Sequence, residues 1–511
     1  MFITKSITGD CISLVITFLV ILIGYFKWSY QYWHKRNVPY LQPQIPFGNI
    51  KNPLRSKEFS GVTIKKIYDE MKTRGWKHGG LYVFNKPNYF PIDLDLVKNV
   101  MTKDFQHFVD RNTFANEKEP LHEHLLNLKG AKWRNLRAKL TPTFTSGKMK
   151  MMFSVMAECQ EGLQKRLEKE SLKNQPIDIK EVLACFTTNI IGTCAFGLEF
   201  KALEDEDSAF REFGRQLFTV SKLQMFKIMF IRTFPKLATS LNISAGRKET
   251  SKFIMNIVED TVGYREKNNY TRNDFMQLLI NLKNKAPPES GAHDGKPLTM
   301  NEIASQAIVF FAAGFETSST LMTFALYELS KNPNIQEKLR SEINEVLAKH
   351  QNNITYDSIQ DIKYLTQVID ETFRMHPPVP TLNRKCTKDY KVENQDAVIE
   401  EGTPVLISVL GIHYDKDYYP NPEKFDPERF SDENRKSRHH YAHLPFGDGP
   451  RNCIGMRFGL LQSKMGLVSL IRNFKFSLNE KTKQPLIYKP NSLVLSVEGE
   501  VWLNAERINT M

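Results

Sequence analysis

The sequence predicts a mainly α-helical fold with small β-sheets, carried behind an N-terminal transmembrane anchor helix. Three observations predict it. Apolar residues recur at helical spacing from about 133 to 374. Strand-like stretches are brief, at 81–84, 405–409 and 493–497. An uncharged apolar run, CISLVITFLVILIGYF, fills positions 11–26.

That run is shorter than the roughly 20 residues a spanning helix needs. Trp28, Tyr30, Tyr32 and Trp33 follow it and extend it, because such side chains settle at the membrane interface. A cleaved signal peptide is the alternative. Bulky aromatics and the bases Lys35 and Arg36 stand where small cleavage-site residues belong, which favours an uncleaved anchor. Basic residues lie mainly after the run, so the positive-inside rule puts the body of the chain in the cytoplasm. Three glycosylation acceptors, at Asn242, Asn269 and Asn353, are then expected to carry no sugar. The expected organisation is an anchor over 1–33, a linker over 34–50 stiffened by Pro39, Pro43 and Pro46, and a globular unit over 51–511.

The globular unit has ample material for a core: 41% of the 511 residues are hydrophobic and 25% charged. The six cysteines of the chain include no Cys-x-x-Cys pair, so neither a zinc site nor a disulfide framework is indicated, and a reducing compartment fits. The net charge of +13 favours acidic partners. The bases are dispersed and no nucleic-acid module is present, leaving a membrane surface, an acidic protein, or simple solubility. The segment 225–231 mixes large apolar groups with a base, as a lipid-dipping or a core helix would. A polar stretch over 283–296 with two prolines and two glycines reads as an exposed loop.

After that loop, Thr299 and Glu302 form a possible capping box opening a long helix. Its middle is apolar all round, so the helix is expected to be buried. Glu316 and Thr317 are set into that apolar run, with Ala313 and Gly314 on the face of Thr317. On residues alone, Thr317 either borders a gap opened by the small residues or bonds back to the preceding turn. Glu371 and Arg374 share a face of a helix that must end before Pro377 and Pro378.

The most informative stretch is Pro445-Phe446-Gly447-Asp448-Gly449-Pro450-Arg451-Asn452-Cys453-Ile454-Gly455. Its glycines permit positive φ and close approach of a flat ligand. Apolar residues at helical spacing follow Gly455, so Cys453 sits just before a helix N-terminus, where free N–H groups favour a thiolate. A lone cysteine is otherwise a small core hydrophobe.

Phe446, Gly449, Arg451, Cys453 and Gly455 fit Phe-x-x-Gly-x-Arg-x-Cys-x-Gly at every fixed position, and on them the chain resembles the cytochrome P-450 superfamily. Ala313-Gly314-Phe315-Glu316-Thr317-Ser318, Glu371-x-x-Arg374, Arg429 and Trp133-x-x-x-Arg137 match further family elements in family order. The resemblance implies the cytochrome P-450 fold, with haem b ligated through its iron by Cys453. It implies that Phe446 shields the sulfur, that Ala313, Gly314 and Gly455 border the haem, and that Arg451, Trp133, Arg137 and Arg384 meet its propionates. Thr317 would hydrogen-bond dioxygen at the haem and Glu316 would help relay protons. Glu371, Arg374 and Arg429 would form a buried network holding the cysteine loop.

The stretches 136–153 and 377–390 resemble the insect microsomal branch that oxidises xenobiotics. That implies a monooxygenase of the endoplasmic reticulum membrane acting on a lipophilic substrate. Electrons would come from NADPH through a separate flavoprotein, NADPH–cytochrome P-450 reductase, since the chain has no dinucleotide fingerprint of its own. Lys132, Lys139 and Arg457 are expected to receive it. Substrate contacts are expected at 111–114, 310–313, 379–382 and 491–493. Two alternatives are a haem-thiolate isomerase or dehydratase and a non-catalytic haem carrier or sensor.

Overall fold

A computed structural model describes the chain except residues 1–6, 54, 114–118, 199–201, 204–210, 212, 216–220, 242, 244–247, 285–294, 394 and 509–511. The first helix, α1, runs Ile7–Ser29, 23 residues. At 1.5 Å per residue this is about 35 Å, enough to cross a bilayer core. Its apolar side chains are exposed along its length. Two other helices are long and apolar enough to span, Ile179–Phe196 and Met300–Lys331, but both are mostly buried within the protein.

The proline-containing linker at 34–50, with Trp33 just before it, packs on the first sheet. Trp33 is fully buried beside Gly80, where a Cβ would come within 2.4 Å of the indole. Gly80 N–H donates to Pro39 O at 2.8 Å, and Asn49 N–H to Tyr82 O at 2.8 Å. Val38 and Leu41 join the same apolar cluster. An aperiodic proline-rich segment shows no such docking in sequence, because the partner surface lies some 40 residues on.

In chain order the body includes α2 (Ser60–Thr73), β1 (His78–Val83), β2 (Lys86–Pro91), α3 (Gly130–Leu140), α4 (Ser146–Ser171), β3 (Ile177–Asp178) and α5 (Ile179–Phe196). There follow α6 (Lys222–Thr233), α7 (Met300–Lys331), α8 (Lys363–Met375), β4 (Thr381–Lys385), β5 (Pro404–Ser408), α9 (Val409–His413), α10 (Met456–Asn473), β6 (Phe474–Leu478) and β7 (Trp502–Arg507). One four-stranded sheet has the order β1-β2-β5-β4, and a three-stranded sheet the order β3-β7-β6. Helix α7 runs through the main core between α5 and α10. Fully buried side chains there, such as Phe311 and Met322, each contribute roughly 1.5–3 kcal/mol of transfer free energy.

Two of the three expected strands form, as β1 and β5. The third, 493–497, does not. Its backbone is used otherwise: Leu495 N–H donates to Pro378 O at 2.9 Å, and Ser496 O accepts from Lys489 N–H at 2.8 Å. The apolar character there reflects burial of Val494, Leu495 and Val497 from a folded-back loop that makes one isolated bridge, Tyr488 with Val497, rather than a strand. The segment 225–231 lies in α6, with Phe226 exposed and Ile231 buried. Most of the expected loop at 283–296 lies outside the described residues.

Candidate active site

The cysteine loop closes on itself. Cys453 N–H donates to Phe446 O at 2.9 Å. Gly447 and Gly449 have φ of +66° and +71°, the left-handed region that favours glycine. At Gly449 a Cβ would also lie 2.1 Å from Met101 O, so no other residue fits there. Phe446 packs edge-on against Phe373 of α8, ring centroids 5.0 Å apart. Gly455 caps α10 with open space beside it. Cys453 keeps accessible surface just ahead of α10. Burial pushes its thiol up, and the Gly455 amide with the Arg111 and Arg137 charges pulls it down; burial is the larger.

Guanidinium groups gather around the loop. Arg137 of α3 clamps it, donating to Asn452 O at 3.0 Å and Asn452 Oδ1 at 2.7 Å. Arg451 is buried, 4.0 Å over the ring of Trp133, and donates to Val109 O and Leu128 O at 2.8 and 2.9 Å. Arg384, on β4, is fully buried; among the described residues its Nη1 reaches only the adjacent Asn383 O, and its Nε has no partner. Arg111 donates to Arg451 O at 3.0 Å. Among the described residues one carboxylate meets this cluster, Asp110, at 3.4 Å from Arg451. Burial and mutual repulsion hold Arg384 and Arg451 down to about 9. Four clustered cations with one carboxylate and an orphaned N–H fit a ligand bearing two carboxylates, as haem b does.

Sequence reasoning assigned Arg111 to substrate, not to this cluster. It also missed His124, whose buried Nδ1 lacks a partner among the described residues and which burial, with the neighbouring His122 and Arg111, holds down to about 4. Its position in an aperiodic segment gave no indication of either.

Helix α7 begins as expected: Thr299 N–H donates to Glu302 Oε2 at 2.8 Å, and Glu302 N–H to Thr299 Oγ1 at 3.2 Å. Its buried length is interrupted by accessible positions at Val309, Ala312, Ala313, Glu316 and Thr317. Thr317 Oγ1 donates to Ala313 O at 2.6 Å, so the back-bond and the accessible face occur together. A Cβ at Gly314 would lie 2.3 Å from Ile191 Cδ1, so its small size also accommodates the packing of α5. Its carbonyl accepts from Gln462 Nε2 of α10 at 2.9 Å, while Gln462 Oε1, buried, has no partner. A glutamine inside the apolar run of α10 was the available indication of that link.

Glu316 and Thr317 do not share a surface. Glu316 lines a polar cavity of about 190 Å³ with Lys180, Arg211, Lys489 and Ser496. Burial pushes its carboxyl up, against the pull of Arg211, Lys180 and Lys489. Successive helical residues diverge by about 100°, which accounts for the separation. Phe310 is also turned away from any opening: it packs among Phe144, Phe275 and Phe458. Of the other expected substrate contacts, Val379 and Leu493 are exposed, and Phe114 lies outside the described residues.

The network behind the loop is present. Arg374 donates to both oxygens of Glu371, at 2.7 and 2.9 Å, and Arg429 Nε lies 3.5 Å from Glu371 Oε1. Arg374 also donates to Pro422 O at 2.8 Å, and Glu371 accepts from Asp426 N–H at 2.8 Å. On the outer side, Lys132 and Arg457 are exposed, whereas Lys139 is only 6% exposed and offers no docking charge. Its helical position turns it inward beside Leu136 and Leu140.

Comparison with known proteins agrees with this geometry. A family model described as Cytochrome P450 matches residues 46–503. Cytochrome P450 6a2 of Drosophila melanogaster is 42% identical over 503 residues, covering 97% of this chain and 99% of that protein. Cytochrome P450 6A1 of Musca domestica is 42% identical over 506 residues, 98% of each chain. Probable cytochrome P450 6a21 of Drosophila melanogaster is 42% identical over 97% of this chain. With the cysteine loop, the arginine cluster and the Glu371–Arg374 pair in one fold, the chain belongs to the cytochrome P450 family: it is a haem-thiolate monooxygenase that uses haem b and electrons from a redox-partner reductase.

Proposed function

We propose that Cys453 is the proximal ligand of haem b, that Arg111, Arg137, Arg384 and Arg451 hold its propionates with Trp133 backing Arg451, and that Thr317 and Glu316 manage protons. The carrying observation is the accessible Cys453 sulfur beside a four-arginine cluster that has one carboxylate and an orphaned Arg384 Nε. When bound, haem supplies the iron that activates dioxygen, and thiolate ligation, a general property of this family, favours O–O cleavage. The test is a ferrous–carbon monoxide spectrum of thiolate type, with product formation that requires NADPH, reductase and dioxygen together. Turnover without those three would favour an isomerase or dehydratase; a bound haem without turnover would favour a carrier or sensor.

At rest the Thr317 proton is occupied by Ala313 O, leaving its oxygen free to accept a hydrogen bond. Glu316 holds its proton to higher pH than an exposed carboxylate, because burial disfavours its charge. A proton leaving Glu316 must therefore cross the helix face by side-chain rotation or water before reaching Thr317. Thr317→Ala should lower product formed per NADPH severalfold and raise peroxide release, because proton delivery loses its positioned group, with little change in stability. Unchanged coupling in a peroxide assay would remove Thr317 from this role.

The substrate class is lipophilic and includes xenobiotics, the partner is NADPH–cytochrome P-450 reductase, and α1 anchors the protein in the endoplasmic reticulum membrane with the body in the cytoplasm. The anchor is 1–33, the linker 34–50 and the catalytic unit 51–511, the linker resting on β1. Asn269 and Asn353 are exposed acceptors, so this orientation is readily checked. Glycosidase treatment of protein from insect cells should leave its gel mobility unchanged; a shift would put the body in the lumen.

A further inference from the structure

We infer that His413 is a positioning residue that couples the Glu371–Arg374 helix to the cysteine loop through a single neutral tautomer. Its imidazole is fully buried at the end of α9. On one side, Nδ1 lies 3.3 Å from Phe373 O and 3.2 Å from Arg374 O. Carbonyls only accept, so Nδ1 carries the hydrogen. On the other side, Leu444 N–H donates to Nε2 at 2.9 Å, so Nε2 carries the lone pair. The one neutral form with its proton on Nδ1 satisfies both sides. A cation would set two N–H groups against each other, beside the Arg374 charge.

The two partners are the structural ends that matter for the sulfur. Phe373 and Arg374 lie in the last turn of α8, whose carbonyls lack helical donors. The Phe373 ring also packs on Phe446, the residue whose carbonyl accepts from Cys453 N–H. Leu444 stands two residues before Phe446, at the root of the loop. Contact with α8 is reciprocal: Arg374 Nη1 donates to His413 O at 3.0 Å. Tyr414 adds a further cap, donating from its hydroxyl to Met375 O at 3.2 Å. The His443 ring stacks on His413 at 5.3 Å and fixes its plane, with Nε2 donating to Asp370 O at 3.2 Å. Three points thus fix the imidazole, and through it the loop root is tied to α8 independently of the Glu371–Arg374 ion pair.

The inference rests on Cys453 as the ligand, and the test separates the two. In the full-length holoprotein, His413→Phe keeps an aromatic ring but removes donor and acceptor, and His413→Gln keeps one of each. Conversion of the ferrous–carbon monoxide spectrum from thiolate type to the inactive type is timed at fixed temperature, with helix content followed in parallel. Leu167→Ala, a cavity in α4 away from the loop, controls for general destabilisation. The Phe variant should convert roughly tenfold or more faster than wild type while its helix content persists, since buried groups lose their partners. The Gln variant should recover most of the lifetime. Conversion of the Phe variant at the wild-type rate, or only in step with helix loss as in Leu167→Ala, would overturn the inference. If the Phe variant does not accumulate, the Gln variant decides: a lifetime near wild type supports the coupling, and loss of band and helix together overturns it. Absence of a thiolate-type band in wild type would instead strike at the assignment of Cys453.

Discussion

Cys453→Ser should abolish the thiolate-type ferrous–carbon monoxide band and cut reductase-driven product formation by more than roughly a hundredfold, beyond what loss of an outer-sphere partner costs a metal site. A serine hydroxyl does not ionise near neutral pH, so the anionic donor that pushes electron density onto iron is lost. The loop itself should survive. Its closing bond is backbone to backbone, Cys453 N–H to Phe446 O, and the replaced side chain keeps accessible surface. Circular dichroism and thermal midpoint should therefore stay near wild type while the spectrum changes. A serine variant that retained the wild-type band would eliminate Cys453 as ligand.

Glu371→Ala should be the most damaging change outside the cysteine loop. Both Glu371 and Arg374 have 0% side-chain exposure, and the pair is bidentate. Removing the carboxylate strands a buried guanidinium and the Asp426 amide, at a cost of about 3–5 kcal/mol. Against a total stability of roughly 5–15 kcal/mol, that is enough to empty the folded, haem-loaded pool during expression. The exposed pair Lys349–Glu345, at 67% and 70% exposure, provides the contrast; Glu345→Ala should leave stability close to wild type, because solvent screens an exposed pair. Both variants are compared by holoprotein yield and by half-life at a fixed elevated temperature. Equal yields and half-lives would show that the buried pair does not hold the fold.

Much of this was legible in the chain because the relevant physics is local. A capping box needs Thr299 and Glu302 three positions apart, and it forms as written. The pairing of Glu371 with Arg374 follows from helical spacing, and the glycines at 447 and 449 announce the positive φ they adopt. The uncharged run at 11–26 announces α1, although Tyr30 and Trp33 after it pack into the cluster around the sheet while Trp28 stays exposed. Periodicity also gave the wrong sense where it could not tell what a face meets. Lys139 turned inward, and the strand-like stretch at 493–497 formed a folded loop.

What the sequence by itself determined is the set of local instructions: the anchor helix, the capped buried helix α7, the glycine-shaped loop bearing Cys453, and the membership that those motifs carry. The tertiary structure alone decided how distant pieces meet. Arg111 reaches Arg451 across 340 residues, His413 takes an amide from the loop and carbonyls from α8, and Glu316 and Thr317 open onto different surroundings. The reason is physical: hydrogen-bond spacing and steric permission act within a few residues, whereas burial and charge repulsion depend on which surfaces the folded core brings together.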